Sequence, residues 1–243
     1  MKRVFLQKYS TGKIKMKKLC LILIFVCSCY ALDLESFEQE YQQQPINDPL
    51  EKYNRFMNKV NWKFYDYIFS PVLKGYNWIM PLGFRMGIEN FFENLNSPLR
   101  FLGHMLVLQP QDALNELGRF SLNSTVGMLG FFDVASANKL YSKDTDFGIV
   151  FGKWGIGEGF PLVLPILGQS NLRDTLALPL NSFATPITYV KPTSYAVELY
   201  VIDKIVYAAQ RKDILDSIRK ESLDDYIVMR QSYQAYRDKL IKE

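Results

Sequence analysis

The stretch FGKWGIGEGFPLVLPILGQSNLRD, residues 151–174, decides whether the chain carries a nucleotide-binding loop or a segment in which glycines only allow turns. Its glycine run from Gly155 to Gly159 is of the kind that cradles a phosphate in nucleotide-binding proteins. In those proteins the glycines open a helix, but here Pro161 and Pro165 follow within a few residues and prevent a regular helix. A P-loop also needs Gly-Lys-Ser/Thr after the glycines, and none follows. The stretch is therefore predicted to form tight turns and close backbone approaches.

The composition is that of a globular chain with a mildly acidic body. The 243 residues are 48% apolar and 22% charged, which is enough apolar mass for one sizeable core. Seven of the 29 basic residues precede Asp33 and no acid does, which leaves 22 bases against 25 acids. Nucleic-acid binding needs a concentrated basic face, so no nucleic-acid partner is predicted. Aromatic residues make up 14%, which suits a membrane interface or, alternatively, an aromatic core.

Residues 1–31 are predicted to be a leader segment, with the true start at Met16. Lys17 and Lys18 form a charged region, and an apolar run over residues 19–26 follows it. This length fits a signal peptide and is too short to span a bilayer. A buried N-terminal helix is the alternative, and the order of charge before apolar run disfavours it.

All three cysteines lie in the leader, so the body has neither a disulfide framework nor a thiolate metal site. The sequence VCSC, residues 26–29, resembles a bacterial lipobox and predicts a lipid anchor on Cys29, although Cys27 is unusual at its position. Ordinary cleavage after Ala31 is the alternative. Residues 32–47 are polar and rich in glutamine, and they are predicted to be a tether.

Prolines punctuate the first half of the body and predict a series of short helices. Proline is favoured at the first helical position, and Asp48, Ser70 and Ser97 each precede one and are predicted N-caps. The predicted helices lie near 49–68, 71–79, 81–93, 98–108 and 110–124. The helix at 98–108 has little polar face, so it is either buried or lies against lipid. No run after residue 32 reaches 18 apolar residues, so no spanning helix is predicted.

The second half of the body changes in texture. Residues 127–192 are predicted to be loop-rich because glycines and prolines crowd them. Helices are predicted near 193–211, after Asp213 and over 223–241. The predicted fold class is thus mainly α, with a single domain over residues 48–243, a Gly/Pro-rich loop region and a helical C-terminus.

No catalytic or metal site and no cofactor is predicted. His104 lies in an apolar helix with no ligand cluster nearby, so a structural role is expected. Ser170 is not in a nucleophile elbow, because Leu172 stands where glycine is required. Asp144 and Asp146 are a carboxylate pair in an ordinary polar loop. The chain is therefore expected to be no enzyme, with a lipid hydrolase as the least favoured reading.

Five motifs, taken in order, resemble the MlaA (VacJ) family of outer-membrane lipoproteins. They are DPLEKYNRFM (48–57), ENLNSP (93–98), RFSLNSTVGMLGFFDVA (119–135), the opening stretch (151–174) and DDYIVMRQSY (224–233). The resemblance runs from Asp48 to about Ile241. The chain departs from the family where Phe160 intervenes before Pro161, and where TLALP follows the Arg-Asp pair.

The resemblance implies a ring- or disc-shaped helical protein on the periplasmic face of the bacterial outer membrane. Family members take phospholipid that has strayed into the outer leaflet and pass it through a polar channel to a periplasmic shuttle protein (MlaC-like). They lie beside outer-membrane porins. The implied partners are therefore phospholipid, a porin, the shuttle and the membrane interface. A membrane-anchored scaffold that braces a porin or the envelope, without transport, is the alternative.

Eight residues match family positions and are candidate channel or motif residues. They are Asn54, Arg55, Arg119, Asn123, Gly155, Gly157, Arg173 and Asp174. A structural role is the alternative for each: Arg173 and Asp174 would pin loops, and Asn123 would cap a helix.

Overall fold

The computed structural model describes residues 47–243, of which residues 48–243 form one compact unit. This unit is mainly helical, which confirms the predicted fold class. The predicted leader, the anchor Cys29 and the tether as far as residue 46 lie outside the described residues.

The described residues contain eleven α-helices and one two-stranded sheet. In chain order they are α1 (Glu51–Phe64), α2 (Ser70–Ile79), α3 (Leu82–Leu95), α4 (Ser97–Leu106), α5 (Pro110–Thr125), α6 (Val134–Ala137), α7 (Phe147–Lys153), β1 (Pro161–Leu164), β2 (Gly168–Asn171), α8 (Leu172–Ala184), α9 (Thr193–Gln210), α10 (Lys212–Glu221) and α11 (Asp225–Lys242). A π-turn (Tyr65–Phe69) joins α1 to α2, and a 3₁₀ turn (Pro186–Tyr189) precedes α9. None of these helices is long and apolar enough to cross a membrane.

Pro71 does not begin a new helix as the sequence predicts. The N–H of Ser70 bonds to the carbonyl of Tyr65, five residues earlier, and the chain continues helically through Pro71. A proline ring clashes with the carbonyl four residues before it, so a wider turn is where a helix accommodates it. Ser70 therefore makes no capping bond, and Ser97 likewise lies inside α4, whose N-cap is Asn96.

The prediction of a loop-rich segment is wrong for α7, the sheet and α8. An aspartate before α7 starts that helix, because the carboxylate of Asp146 accepts the N–H of Ile149. The side chain of Asn171 starts α8 in the same way, by accepting the N–H of Asp174. Pro179 lies inside α8, and an interior proline predicts no helix from the sequence. The N-cap Asn171 stabilises the helix despite this proline.

The glycine stretch forms turns around an antiparallel hairpin of β1 and β2. Pro161 stands opposite Asn171 at the start of β1, where a residue without an N–H is tolerated. Gly155, Gly159 and Gly168 take φ angles of +85°, +72° and +84°, which side-chain residues avoid. The glycine run therefore leads into a strand, and the predicted turn-forming role is confirmed.

Within residues 48–243 two apolar clusters form the core, and α9 contributes to both. The first joins α1 and its π-turn to α2 and α9 through Trp62, Tyr65, Leu73, Ala208 and Ala209. The second joins α3 to α9 and the 3₁₀ turn through Phe92, Ile187, Ala196 and Val206.

Candidate functional site

The described surface carries many large apolar side chains. Forty of them are exposed, and Trp78, Leu108 and Tyr67 are 80% exposed or more. In the interior of the same residues, polar or charged side chains are as numerous as apolar ones, with 18 of each. Buried charged groups are exceptions in soluble proteins, whereas seven of these 18 buried polar side chains are Arg, Lys, Asp or Glu. Exposed apolar surface on this scale marks contact with a membrane or a partner.

Residues 126–132, which we call the apolar loop, present part of this surface under backbone strain. Met128 and Leu129 take φ angles of +52° and +61°, a region that residues with side chains rarely adopt. Their side chains are nevertheless 68% and 64% exposed, so burial does not compensate the strain. Strained residues of this kind persist where the surrounding structure holds them, and they cluster at functional sites.

A buried network fixes the residues that directly follow the apolar loop. Arg119 of α5 lies 3.2 Å from Asp133 and donates to the hydroxyl of Ser136 at 3.0 Å. Asn123 donates to Asp133 at 3.0 Å and accepts the N–H of Ala135 at 2.9 Å. Burial opposes ionisation of Asp133, but the bonds from Ser136 and Asn123 and the charge of Arg119 outweigh it and lower the pKa to about 2. The side chains of Arg119 and Asn123 thus fix the segment after the loop, and the backbone carbonyl of Asn123 accepts the N–H of Gly130 within it at 2.7 Å.

Asn54 docks the hairpin onto α1. Its side chain is fully buried and donates to the carbonyl of Pro161 and to Asp48, both at 2.9 Å. It also accepts the N–H of Val163 at 2.8 Å. One amide therefore satisfies the outer edge of β1, which would otherwise be an unpaired strand edge.

A second asparagine repeats this contact two helical turns later. Asn61 donates to the carbonyl of Leu164 at 2.9 Å and accepts the N–H of Ile166 at 2.8 Å. Asn61 is not among the residues predicted from the sequence, although its spacing of seven from Asn54 places both amides on one face of α1. Arg55, by contrast, is half-buried and pairs with Asp224 at 2.8 Å, which ties α1 to the start of α11.

Arg173 and Asp174 belong to a buried network that joins α7, α8 and α11. Asp174 lies between Arg173 and Arg237, each 2.9 Å away, and Tyr233 donates to it at 2.7 Å. Burial opposes its ionisation, but Arg173, Arg237 and Tyr233 outweigh this and lower its pKa. Arg237 also makes a bidentate pair with Asp146 at 2.7 and 2.8 Å.

The remaining predicted positions divide in role. Gly155 is required by its positive φ, whereas nothing in the structure explains Gly157, since a Cβ there would meet no atom within 4 Å. His104 is buried, and its ring nitrogens contact Gln109 at 3.3 Å and the carbonyl of Lys143 at 3.2 Å, which is the structural role predicted. Within residues 47–243 no group of His, Cys, Asp and Glu is arranged to hold a metal ion.

A polar cavity of about 250 Å³ opens where α3, α4, α7, α8 and α11 meet. Its charged and hydroxyl lining comprises Glu93, Arg100, Asp144, Thr145, Asp146, Tyr236 and Arg237. None of the eight predicted residues lines this cavity, although Asp174 contacts Arg237. The sequence predicts only an ordinary polar loop for Asp144 and Asp146, whereas both line this cavity. Asp146 directly precedes the apolar run of α7. An aspartate in that position is typical of an N-cap, so the sequence does contain a signal for the start of this helix.

An apolar cavity of about 410 Å³ lies between α3 and the apolar loop. Met86, Phe131 and Phe132 contribute to its lining. The ring of Phe131 packs directly against α3 at Gly87. A Cβ at Gly87 would lie only 2.3 Å from this ring, so the contact requires glycine there. The chain thus places a polar and an apolar recess on the same helix, α3.

Comparison with known proteins settles the family. A family model described as MlaA lipoprotein matches residues 46–240. The chain belongs to the MlaA lipoprotein family. The resemblance of the five ordered motifs is thereby confirmed.

Relatives from several bacteria match most of the chain. The intermembrane phospholipid transport system lipoprotein MlaA of Escherichia coli is 33% identical over 196 residues, which cover 79% of this chain and 77% of the relative. The protein of the same name from Haemophilus influenzae is 30% identical over 191 residues, which cover 77% of this chain and 76% of the relative. A Rickettsia prowazekii protein is 28% identical over 235 residues, or 92% of this chain and 94% of the relative.

A solved structure shares the fold. Described under "Structural basis for maintenance of bacterial outer membrane lipid asymmetry", it superimposes with a TM-score of 0.72 at 30% identity. The match covers 80% of this chain and 99% of the solved one. The mainly helical single-domain MlaA fold therefore accounts for nearly the whole described part.

Proposed function

We propose that this protein is a non-enzymatic component of phospholipid transport at the bacterial outer membrane. It lies in the membrane interface on the periplasmic side, anchored through Cys29, beside a porin. It accepts phospholipid that has strayed into the outer leaflet and passes it through a polar channel to a periplasmic shuttle protein. The result is maintenance of lipid asymmetry, in keeping with the names of the E. coli and H. influenzae relatives, which are phospholipid transport lipoproteins, and with the subject of the solved structure.

The observation that carries this proposal is the combination of an apolar exterior with a charged interior. A protein that lies in one leaflet must present apolar side chains outward, because the acyl region offers no hydrogen bonds. A path for a headgroup must be polar, and its charged groups must be paired to remain in place. The exposed apolar helices, the ion-paired interior and the polar cavity supply both requirements.

Membrane contact is testable on α8. Leu176 and Phe183, both 66% exposed, lie seven residues apart on one helical face. Placing aspartate at both is expected to lower binding of the purified protein to liposomes at least tenfold, since burying each large apolar side chain contributes about 1.5 to 3 kcal/mol. Flotation with phospholipid vesicles measures the bound fraction.

The matched control is Ser217→Asp/Ser232→Asp, which adds the same two charges at exposed polar positions of α10 and α11. It is expected to leave flotation unchanged. Equal binding of the Leu176→Asp/Phe183→Asp protein and the original would mean that this face does not contact lipid.

Transport itself is tested by filling the polar cavity. Asn96 lines it, and its side chain makes no capping hydrogen bond, so Asn96→Trp narrows the cavity without removing a known contact. Cells that carry only this variant are expected to accumulate phospholipid in the outer leaflet to nearly the level of a deletion strain. Surface labelling of outer-leaflet phospholipid and sensitivity to detergent measure the effect.

Gln111→Trp on the exposed start of α5 is the control and is expected to complement fully. Co-purification with porin shows whether the Asn96→Trp protein still binds its partner. If the protein only braces the envelope, the Asn96→Trp variant would still complement the deletion fully, and that outcome would reject transport through the cavity.

A further inference from the structure

Three lysines line the outer side of α1. Lys52, Lys59 and Lys63 are separated by seven and four residues along this helix, and all three are exposed. An α-helix turns by about 100° per residue and rises about 1.5 Å, so the three side chains lie within an arc of about 40° over about 16 Å of the helix. We call these three residues the basic strip.

The basic strip faces away from the rest of the protein. The inward side of α1 carries the buried residues Asn54, Asn58 and Trp62, and it is centred about 120° around the helix from the strip. The acids at the start of α11 lie against this inward side, since Asn58 donates to Asp225 at 2.9 Å. The lysines therefore point into the surroundings of the protein.

The neighbouring acids of the same helical stretch are paired with arginines. Glu51 lies 2.7 Å from Arg55. Asp66 lies 3.4 Å from Arg219. Within the described part of the chain, no lysine of the basic strip forms an ion pair. Three unpaired positive charges are thus concentrated on one side of one helix, although residues 33–243 as a whole carry more acids than bases.

An apolar strip runs beside the basic one. Phe56, Val60 and Tyr53 follow the lysines around the same helix, at about 40°, 80° and 100° from Lys52. Their exposed fractions are 62%, 39% and 40%. A helix that lies in a membrane interface has this arrangement, because its apolar side chains enter the acyl region while lysines beside them extend their charge to the headgroups.

This side of α1 also adjoins a larger apolar surface. The helix continues without a break through the π-turn into α2. Tyr67 follows Lys63 by one helical turn and is 80% exposed, and Trp78 near the end of α2 is 87% exposed. The basic strip therefore lies next to the surface that the proposed function places against lipid, which favours a lipid occupant over an acidic protein.

We propose that the basic strip of α1 binds the headgroups of anionic phospholipid at the membrane surface. Lysines close to an anionic bilayer are attracted to it, and salt weakens the attraction because it screens exposed charges. The inference rests on the proposed function, which puts the protein in the membrane interface. It adds the class of lipid that holds this helix there.

Flotation with two kinds of vesicle tests this inference on the purified full-length protein. One kind contains phosphatidylcholine alone, and the other also contains the anionic lipid phosphatidylglycerol. Lys52→Gln/Lys59→Gln/Lys63→Gln is expected to weaken binding to phosphatidylglycerol vesicles at least tenfold at low salt, since each lysine near an anionic surface changes binding about fivefold. Binding to phosphatidylcholine vesicles is expected to stay the same, and high salt is expected to remove the difference between variant and original.

The matched control removes the same charge from three exposed positions on separate parts of the chain, as Lys139→Gln/Lys220→Gln/Lys242→Gln. Its binding to phosphatidylglycerol vesicles is expected to stay within about twofold of the original. An equal loss in this control, or no loss in the strip variant, would overturn the proposal.

Two further outcomes separate the strip from its alternatives. If the strip variant bound both kinds of vesicle normally but failed to complement a deletion strain, the strip would belong to an acidic protein partner, and the assignment to lipid would be wrong. If the original protein bound neither kind of vesicle, the proposed membrane location itself would be contradicted, and the inference would fall with it.

Discussion

Replacing Arg237 with methionine is expected to lower the free energy of unfolding by about 3 to 5 kcal/mol. Arg237 is 7% exposed and lies between two carboxylates, Asp146 and Asp174. Burial opposes its charge, but Asp146 and Asp174 outweigh this and raise its pKa. Methionine preserves most of the aliphatic stem but leaves both carboxylates without this shared cation. Denaturant unfolding in detergent, followed by circular dichroism, measures the change.

Lys239→Met provides the control within the same helix. The Lys239 side chain is 70% exposed, so its loss is expected to change stability by no more than about 0.5 kcal/mol. Equal stability of the Arg237→Met protein and the original would show that the network does not contribute to the fold.

The pH dependence of this variant has a defined sign. The pKa of Asp174 is lower in the folded protein than in the unfolded chain, so its contribution is present above about pH 4 and is lost as the pH falls further. Without Arg237 that contribution is smaller from the outset. The stability difference between the variant and the original is therefore expected to narrow below about pH 4, and a constant difference would contradict this account.

Asn54→Leu is expected to destabilise the protein by about 2 to 4 kcal/mol, because it leaves buried backbone groups without partners. The carbonyl of Pro161 and the N–H of Val163 both lose their only bond outward from β1, and Asp48 loses a donor. Leucine has a similar volume, so a cavity is not the cause. The hairpin should undock locally, which hydrogen exchange at the Val163 amide detects as loss of protection.

Asn61→Leu removes the same kind of contact at a half-buried position. It is expected to cost about 1 kcal/mol, because water can replace the lost bonds there. If Asn61→Leu cost as much as Asn54→Leu, burial would not be the reason for the effect.

The helical half of the fold was predictable because proline acts locally. Pro110 is the first residue of α5, as its sequence position predicts. Pro71 and Pro179 were misread, since a π-turn and an asparagine N-cap outweigh the local preference against an interior proline. The ring or disc shape and the lipidation of Cys29 stay predictions.

The roles of the motif residues were not predictable from one sequence, because their partners lie far along the chain. Asn54 bonds to a carbonyl 107 residues away, and Tyr233 to a carboxylate 59 residues away. A motif therefore marks that a residue matters without showing what it contacts. The polar cavity was missed for the same reason, since five helices contribute its lining.

Met128 and Leu129 place stability and the proposed membrane contact in opposition. Glycine or asparagine would relieve the left-handed backbone of the apolar loop, by about 1 kcal/mol at each position. Selection for thermal stability alone would therefore favour glycine or asparagine at positions 128 and 129. Selection for lipid contact by the loop would instead favour large apolar side chains at both positions. The residues found at 128 and 129 in other members of the family are therefore expected to show which of the two requirements prevails.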